Sequence, residues 1–296
     1  MTWSLFLQTL IGGVSIGCIY AIAGISINVM YRPGGYFNFA QGYVVLLGSI
    51  LMVVLSTEWG WNWYVAALAI MVIGGALGGA TELVAIRPIM RRRSSSVAWV
   101  ITTLAVSLLL SDEIGAHYQG TSTTVPGPPG LSTSTFNLGS ALISPYDIAL
   151  LIFACLLPVA LWFLYHTRHG LAIRALAEDR DAALLRGVPA NALTSLSWVL
   201  GGALGVLAGV LDAPLSPPDV TLGFTILISG FLAVAIGGLG DNRGAIIGGL
   251  LLGCVQSFAA IEINPSYQNV GAFIVFLIVL ALRPRGIFGA RVLREV

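Results

Sequence analysis

The side chains best suited to handling a small polar solute are three amides, Asn28, Asn38 and Gln41. An amide both donates and accepts hydrogen bonds, which is the chemistry of weak, reversible contact along a path. Asn38 and Gln41 follow the run Tyr31-Arg-Pro-Gly-Gly, where Pro33, Gly34 and Gly35 cannot continue a straight helix at low cost. Non-helical backbone near membrane depth is tolerated where it is buried in protein or lines a wet cavity, so these amides are candidate substrate-path residues; a capped turn is the plainer reading. His166 and His169, three apart, have the spacing of a metal pair, but no carboxylate or Cys completes a site, so no metal is expected. Cys18, Cys155 and Cys254 each sit alone in an apolar stretch and read as small buried hydrophobes. No His, Cys and carboxylate constellation marks a catalytic centre, and no catalytic residue is expected.

The elements that must position these residues are membrane helices. The 296 residues are 57% hydrophobic and 9% charged, with 36 Gly, more than a soluble chain carries. Apolar runs long enough for a bilayer cover roughly 4–30, 35–56, 62–86, 97–117, 147–165, 193–213, 222–240, 244–262 and 269–282, the ninth being marginal in length. The expected fold class is therefore all-α, a polytopic transmembrane bundle of eight or nine segments in a single domain spanning 1–296. The first segment lacks a positively charged lead and a cleavage site and is expected to remain as a helix.

Charge sets the orientation. The chain has no Lys, and its 14 Arg all fall in alternate gaps: Arg32, Arg87, Arg91–Arg93, Arg168, Arg174, Arg180, Arg186, Arg243, Arg283, Arg285, Arg291 and Arg294. By the positive-inside rule the N-terminus is outside and the C-terminus inside. The external gaps carry acids such as Glu58, Asp219 and Glu262.

Two gaps are long. The external one, 118–145, is rich in Ser, Thr, Gly and Pro and suits turns, either as a connector or as a surface for an outside partner. The internal one, 166–192, has helix-forming composition, with Ile173, Leu176, Ala177 and Leu184 on one face and stop signals at Gly187 and Pro189. Its balanced charge favours a protein partner over an anionic lipid surface. Gly-xxx-Gly spacings such as Gly244/Gly248 and Gly249/Gly253 predict close helix packing. Interrupted stretches around Pro33 and around Pro214–Pro218 hint at an internal repeat.

Read in order, Gly17-Cys-Ile-Tyr-Ala-Ile-Ala-Gly24, Phe37-Asn-Phe-Ala-Gln-Gly42, Glu82-Leu-Val-Ala-Ile-Arg-Pro88, Arg174-Ala-Leu-Ala-Glu-Asp179, Gly237-Gly-Leu-Gly-Asp-Asn-Arg-Gly-Ala-Ile-Ile-Gly-Gly249 and Leu282-Arg-Pro-Arg-Gly-Ile-Phe-Gly289 resemble the permease subunits of branched-chain amino-acid ABC importers, the LivH type. Gln41 stands where that family commonly has His. The resemblance implies a type II ABC-importer-like permease in the bacterial inner membrane, passing branched-chain amino acids or a similar small polar solute. A urea or short-amide permease is the alternative, and an ion-coupled carrier a more distant one. It also implies a second, LivM-like permease, two ATP-binding subunits, an extracytoplasmic solute-binding protein and surrounding lipid, with no nucleic acid. A phosphate-binding loop requires Lys, so ATP and Mg belong to the partner ATPase subunits and no cofactor to this chain. By resemblance the internal segment is the coupling helix, with Arg174, Leu176, Glu178, Asp179, Ala183 and Gly187 as its ATPase-coupling residues.

Overall fold

The computed structural model describes residues 2–91, 97–118, 124–131, 133–138 and 141–289. Arg92, Arg93, Arg291 and Arg294 lie outside them, as does the side chain of Arg91. Nine helices among the described residues are long and apolar enough to cross a membrane. The chain begins with α1 (Trp3–Tyr31), then α2 (Gln41–Met52), which runs on through a π turn at Val53–Glu58. Next, α3 (Trp63–Thr81) passes through a second π turn, Glu82–Ile86, into α4 (Arg87–Arg91), and α5 (Ala98–His117) follows. After α6 (Pro145–Leu164) come the two short helices α7 (Arg168–Glu178) and α8 (Arg180–Leu185). Three long helices succeed them, α9 (Ala190–Asp212), α10 (Val220–Gly237) and α11 (Asn242–Glu262), and α12 (Gln268–Leu282) ends the bundle. The ninth span is longer than its apolar run, because a 3-10 turn at Pro265–Tyr267 extends it to 18 residues.

A helix apolar on every side belongs in the middle of a bundle, and α1 is one. From Gly17 to Met30 all its residues are buried, against α11, α9 and α10. Gly residues make this closeness possible. A Cβ on Gly13 would lie 2.8 Å from Cα of Cys254, and one on Gly209 would strike the carbonyl oxygen of Val45 in α2. Gly74 and Gly78 of α3 meet Gly202 and Trp198 of α9 in the same way. In lipid, where apolar surface gains little from association, such backbone contact is a main source of helix pairing. The outer helices α5, α6 and α12 bury little of their surface; of α12 only Ala272 is buried.

Local chemistry explains several ends. Ser144 and Asp147 form a reciprocal capping box at the start of α6, and Asp147 also accepts a 2.7 Å hydrogen bond from Ser15, fixing α6 to α1. Asp219 caps α10; the N–H and hydroxyl of Thr221 donate to it and hold its carboxyl below the usual carboxylate range. The 118–145 gap is not all irregular: β1 (Phe136–Leu138) pairs antiparallel with β2 (Ala141–Ile143), with Phe136 opposite Ile143. Val125 is buried, and its N–H reaches the carbonyl of Ala213, so the gap is anchored to the end of α9. The break around Pro33 and that around Pro214–Pro218 lie at opposite ends of the bundle.

Candidate functional site

The three amides are brought into the core. Gln41, fully buried at the start of α2, donates from Nε2 to Ser26 Oγ of α1 at 2.9 Å and to the Gly201 carbonyl of α9 at 3.0 Å. Its Oε1 accepts from Asn38 Nδ2 at 3.1 Å, and Asn38 Oδ1 accepts the Ala40 N–H at 3.0 Å, turning the chain into α2. Asn28 lies a little apart: its Nδ2 donates to the Asp241 carbonyl at 3.0 Å and its Oδ1 accepts the Gly240 N–H at 2.9 Å, pinning the α10–α11 turn to α1. In this conformation the amides are closed off from solvent and bonded to the protein itself. They form a clamp of α1, α2 and α9, with Asn28 as a second latch. The reason is that Gly205 leaves the slot into which the Gln41 amide fits, and a Cβ there would collide with Nε2.

A polar group that periodicity does not reveal lies near the end of α3. Glu82 is buried yet forms an ion pair with Arg87, Nη2 to Oε2 at 3.0 Å, and Ser195 of α9 donates to the same carboxylate at 2.8 Å. Residues five apart in an α-helix are separated by about 140° of rotation. The π turn at Glu82–Ile86, closed by the Arg87 N–H on the Glu82 carbonyl, brings the two side chains to one face. Only the Glu and Arg themselves were visible in the sequence.

The 166–192 segment is helical, but it is two helices. Asp179 is extended between them, φ −148° and ψ 103°, and caps α8 by accepting the Ala182 N–H at 2.9 Å. Gly187 takes φ +79° just after α8, the left-handed conformation a helix end requires of glycine. The apolar stripe turns inward: Ile173, Leu176 and Ala183 are buried against Leu161, Tyr165 and Leu193 of the same chain. Leu176 and Ala183 therefore pack into the chain's own core between α6 and α9. Glu178, Asp179, Gly187 and Leu184 are exposed, Arg174 is partly so, and Leu185 is 91% exposed. Among the described residues no group of three or more His, Cys, Asp and Glu is placed to hold a metal ion.

At the same end of the bundle a cavity of about 570 Å³ opens between the Pro33 break, α7–α8 and the α10–α11 turn. Every described Arg sits at this end, while Asp212 and Glu262 end their helices at the other.

A bundle of nine spans, with interrupted links at both ends, defines a multi-pass membrane protein. The chain belongs to the family described as branched-chain amino acid transport system / permease component, which matches residues 9–280. The high-affinity branched-chain amino acid transport system permease protein LivH of Escherichia coli (strain K12) is 30% identical over 299 residues, covering 96% of each chain. The corresponding permease protein BraD of Pseudomonas aeruginosa is 30% identical over 296 residues, again 96% of each. The probable LivH of Methanocaldococcus jannaschii is 29% identical over 292 residues, 94% of this chain and 91% of that one. Among solved structures, PsaBC from Streptococcus pneumoniae in complex with Fab matches with a TM-score of 0.50 at 16% identity, covering 95% of this chain and 93% of that one; the likeness is one of fold.

Proposed function

We propose that this chain is one of two membrane-spanning subunits of an ABC importer for branched-chain amino acids. The observation that carries the reading is the similarity over 96% of the chain to permeases named for that transport. The partners in this reading are a second LivM-like permease, two ATP-binding subunits and an extracytoplasmic solute-binding protein. ATP and Mg sit on the ATP-binding subunits, since a chain without Lys cannot build a phosphate-binding loop of the usual kind, and this chain itself is no enzyme. The gathering of described Arg at one end supports an N-terminus outside and a C-terminus in the cytoplasm of a bacterial inner membrane.

The ATPase docks on the outward face of α7–α8, through Leu185, Leu184, Glu178 and Asp179, with Arg174 and Gly187 shaping the platform. Movement of that platform is transmitted through Ile173, Leu176 and Ala183 into the core of α6 and α9. Asn38 and Gln41 act on passage by holding α2 against α1 and α9 in the closed conformation, and Asn28 by holding the α10–α11 turn. Uptake by the assembled complex in vesicles tests this, with leucine, urea and acetamide offered in turn. ATP-dependent leucine uptake is expected. Uptake of urea or acetamide without leucine, or leucine uptake driven by an ion gradient without the ATPase subunits, overturns it.

A further inference from the structure

The cavity at the arginine end lies beside the docking platform and shares Leu176 with it, but its Arg180, Leu239 and Phe288 have no part in the clamp or the platform. Its lining includes Arg32, Leu176, Arg180, Leu239, Asp241 and Phe288, and its volume of about 570 Å³ lies within the range of small-molecule sites, ~300–1,000 Å³. A smaller neighbour of about 160 Å³ shares Arg32 and Asp241 and adds Arg174 and Arg243. The two cavities together are lined by four Arg and by Asp241. Among the described residues none of the four forms an ion pair. Arg174 Nε and Arg180 Nη1 are shut away from solvent with no hydrogen-bond partner there. Arg32 is held over the Tyr165 ring, 4.2 Å from its centroid, which fixes its position without satisfying its donors. Enclosed donors without an acceptor are unfavourable, and an oxyanion of the right size relieves them with charge-assisted bonds.

The other groups narrow the ligand. Asp241 Oδ1 accepts the Arg243 N–H at 2.8 Å, and its turn is pinned by Asn28, so the carboxylate is fixed and its second oxygen has no partner among the described residues. Leu176, Leu239 and Phe288 make an apolar wall beside it. Guanidinium donors for a carboxylate, one carboxylate for an ammonium and an aliphatic wall together complement a zwitterion with a branched aliphatic side chain. A phosphate group would be repelled by Asp241 and would leave the apolar wall unused.

We propose that this cleft is an inward-side receiving site for an aliphatic α-amino acid, taken up as the solute leaves the path. The proposal rests on the importer reading above and adds the place and groups that recognise the solute. A solute present inside binds there too and slows further import.

The test uses the full complex of both permeases and both ATPase subunits, without the solute-binding protein. Equilibrium binding of labelled leucine is measured with unlabelled leucine, leucinol, 4-methylpentanoate and inorganic phosphate as competitors, and leucine uptake by the same complex, with the solute-binding protein added back on the outside, is read in vesicles with and without internal leucine. Saturable binding is expected, competed well by leucine and poorly by leucinol, which lacks the carboxylate, and by 4-methylpentanoate, which lacks the ammonium. Arg180→Gln and Asp241→Asn should each weaken it tenfold or more, and Leu239→Trp, which fills the cavity, should remove it and the inhibition by internal leucine. ATPase co-purification confirms that each variant assembles. Leucine uptake without saturable binding, or binding unmoved by Leu239→Trp, overturns the site and leaves the importer reading standing. Phosphate competing as well as leucine replaces the site with one for a phosphate or lipid headgroup. Absence of leucine uptake in the wild-type complex removes the importer reading itself, and the proposal with it.

Discussion

Replacing Gln41 by Met keeps the length and volume of the side chain but deletes its amide. Three hydrogen bonds are lost: to Ser26 Oγ, to the Gly201 carbonyl and from Asn38 Nδ2. Two of them join separate transmembrane helices, and such bonds contribute on average ~0.6 kcal/mol and at most ~1.7. The groups left behind are only partly orphaned. Ser26 still donates to the Ala23 carbonyl at 2.6 Å, and Asn38 Nδ2 keeps a long contact with Met30 Sδ at 3.7 Å. The expected destabilisation is therefore about 2 kcal/mol, well below the sum of three fully buried bonds with stranded partners. Denaturant titration of the purified permease complex in detergent measures it. In a Ser26→Ala background the same replacement should cost about 0.5–1 kcal/mol less, because one partner is already gone. Leucine uptake should fall several-fold while ATPase assembly persists. A loss of stability under about 0.5 kcal/mol, or strictly additive behaviour with Ser26→Ala, would refute the clamp, since interacting neighbours must couple.

Leu185→Asp should abolish ATPase co-purification while leaving the permease folded, whereas Leu176→Asp should lower the amount of folded protein, because it buries an unpaired carboxylate; folded yield and pull-down read the two effects separately. Arg87→Leu strands the buried Glu82 carboxylate and should destabilise by the lower part of ~3–5 kcal/mol, Arg87 being partly exposed, while the double replacement Glu82→Gln with Arg87→Leu should recover most of it in the same titration. Gly209→Leu should prevent α2 and α9 from meeting and leave protein that inserts but unfolds at lower denaturant. Single thiols at Glu58 and Glu178, with Cys18, Cys155 and Cys254 replaced, should react with an impermeant reagent outside intact cells at position 58 alone.

The nine apolar runs, their order and the gathering of Arg into alternate gaps are properties of local composition. A bilayer imposes a length and a charge rule on every segment independently of its neighbours, so the spans could be read one at a time. The helix end at Gly187 was likewise local, since capping involves residues a few positions apart. The family motifs were legible for the same reason. Direction was not. Periodicity showed that Leu176 and Ile173 share a face, but whether that face meets a partner or the chain's own α6 and α9 depends on what lies opposite, residues such as Leu161 and Leu193. The amides of Asn38 and Gln41 were visible beside a break, yet their enclosure required Gly205 and Gly201, some 160 positions away, to leave a slot and a carbonyl for them. Glu82 and Arg87 meet because a helix adds one residue to a turn, and the arginine-lined cavity arises where the Pro33 break, α7–α8, the α10–α11 turn and Phe288, all far apart in sequence, converge. Sequence patterning fixes which surfaces a helix has to offer; only the packing of helices against one another decides which groups are left facing each other, and that pairing gives each polar side chain its role.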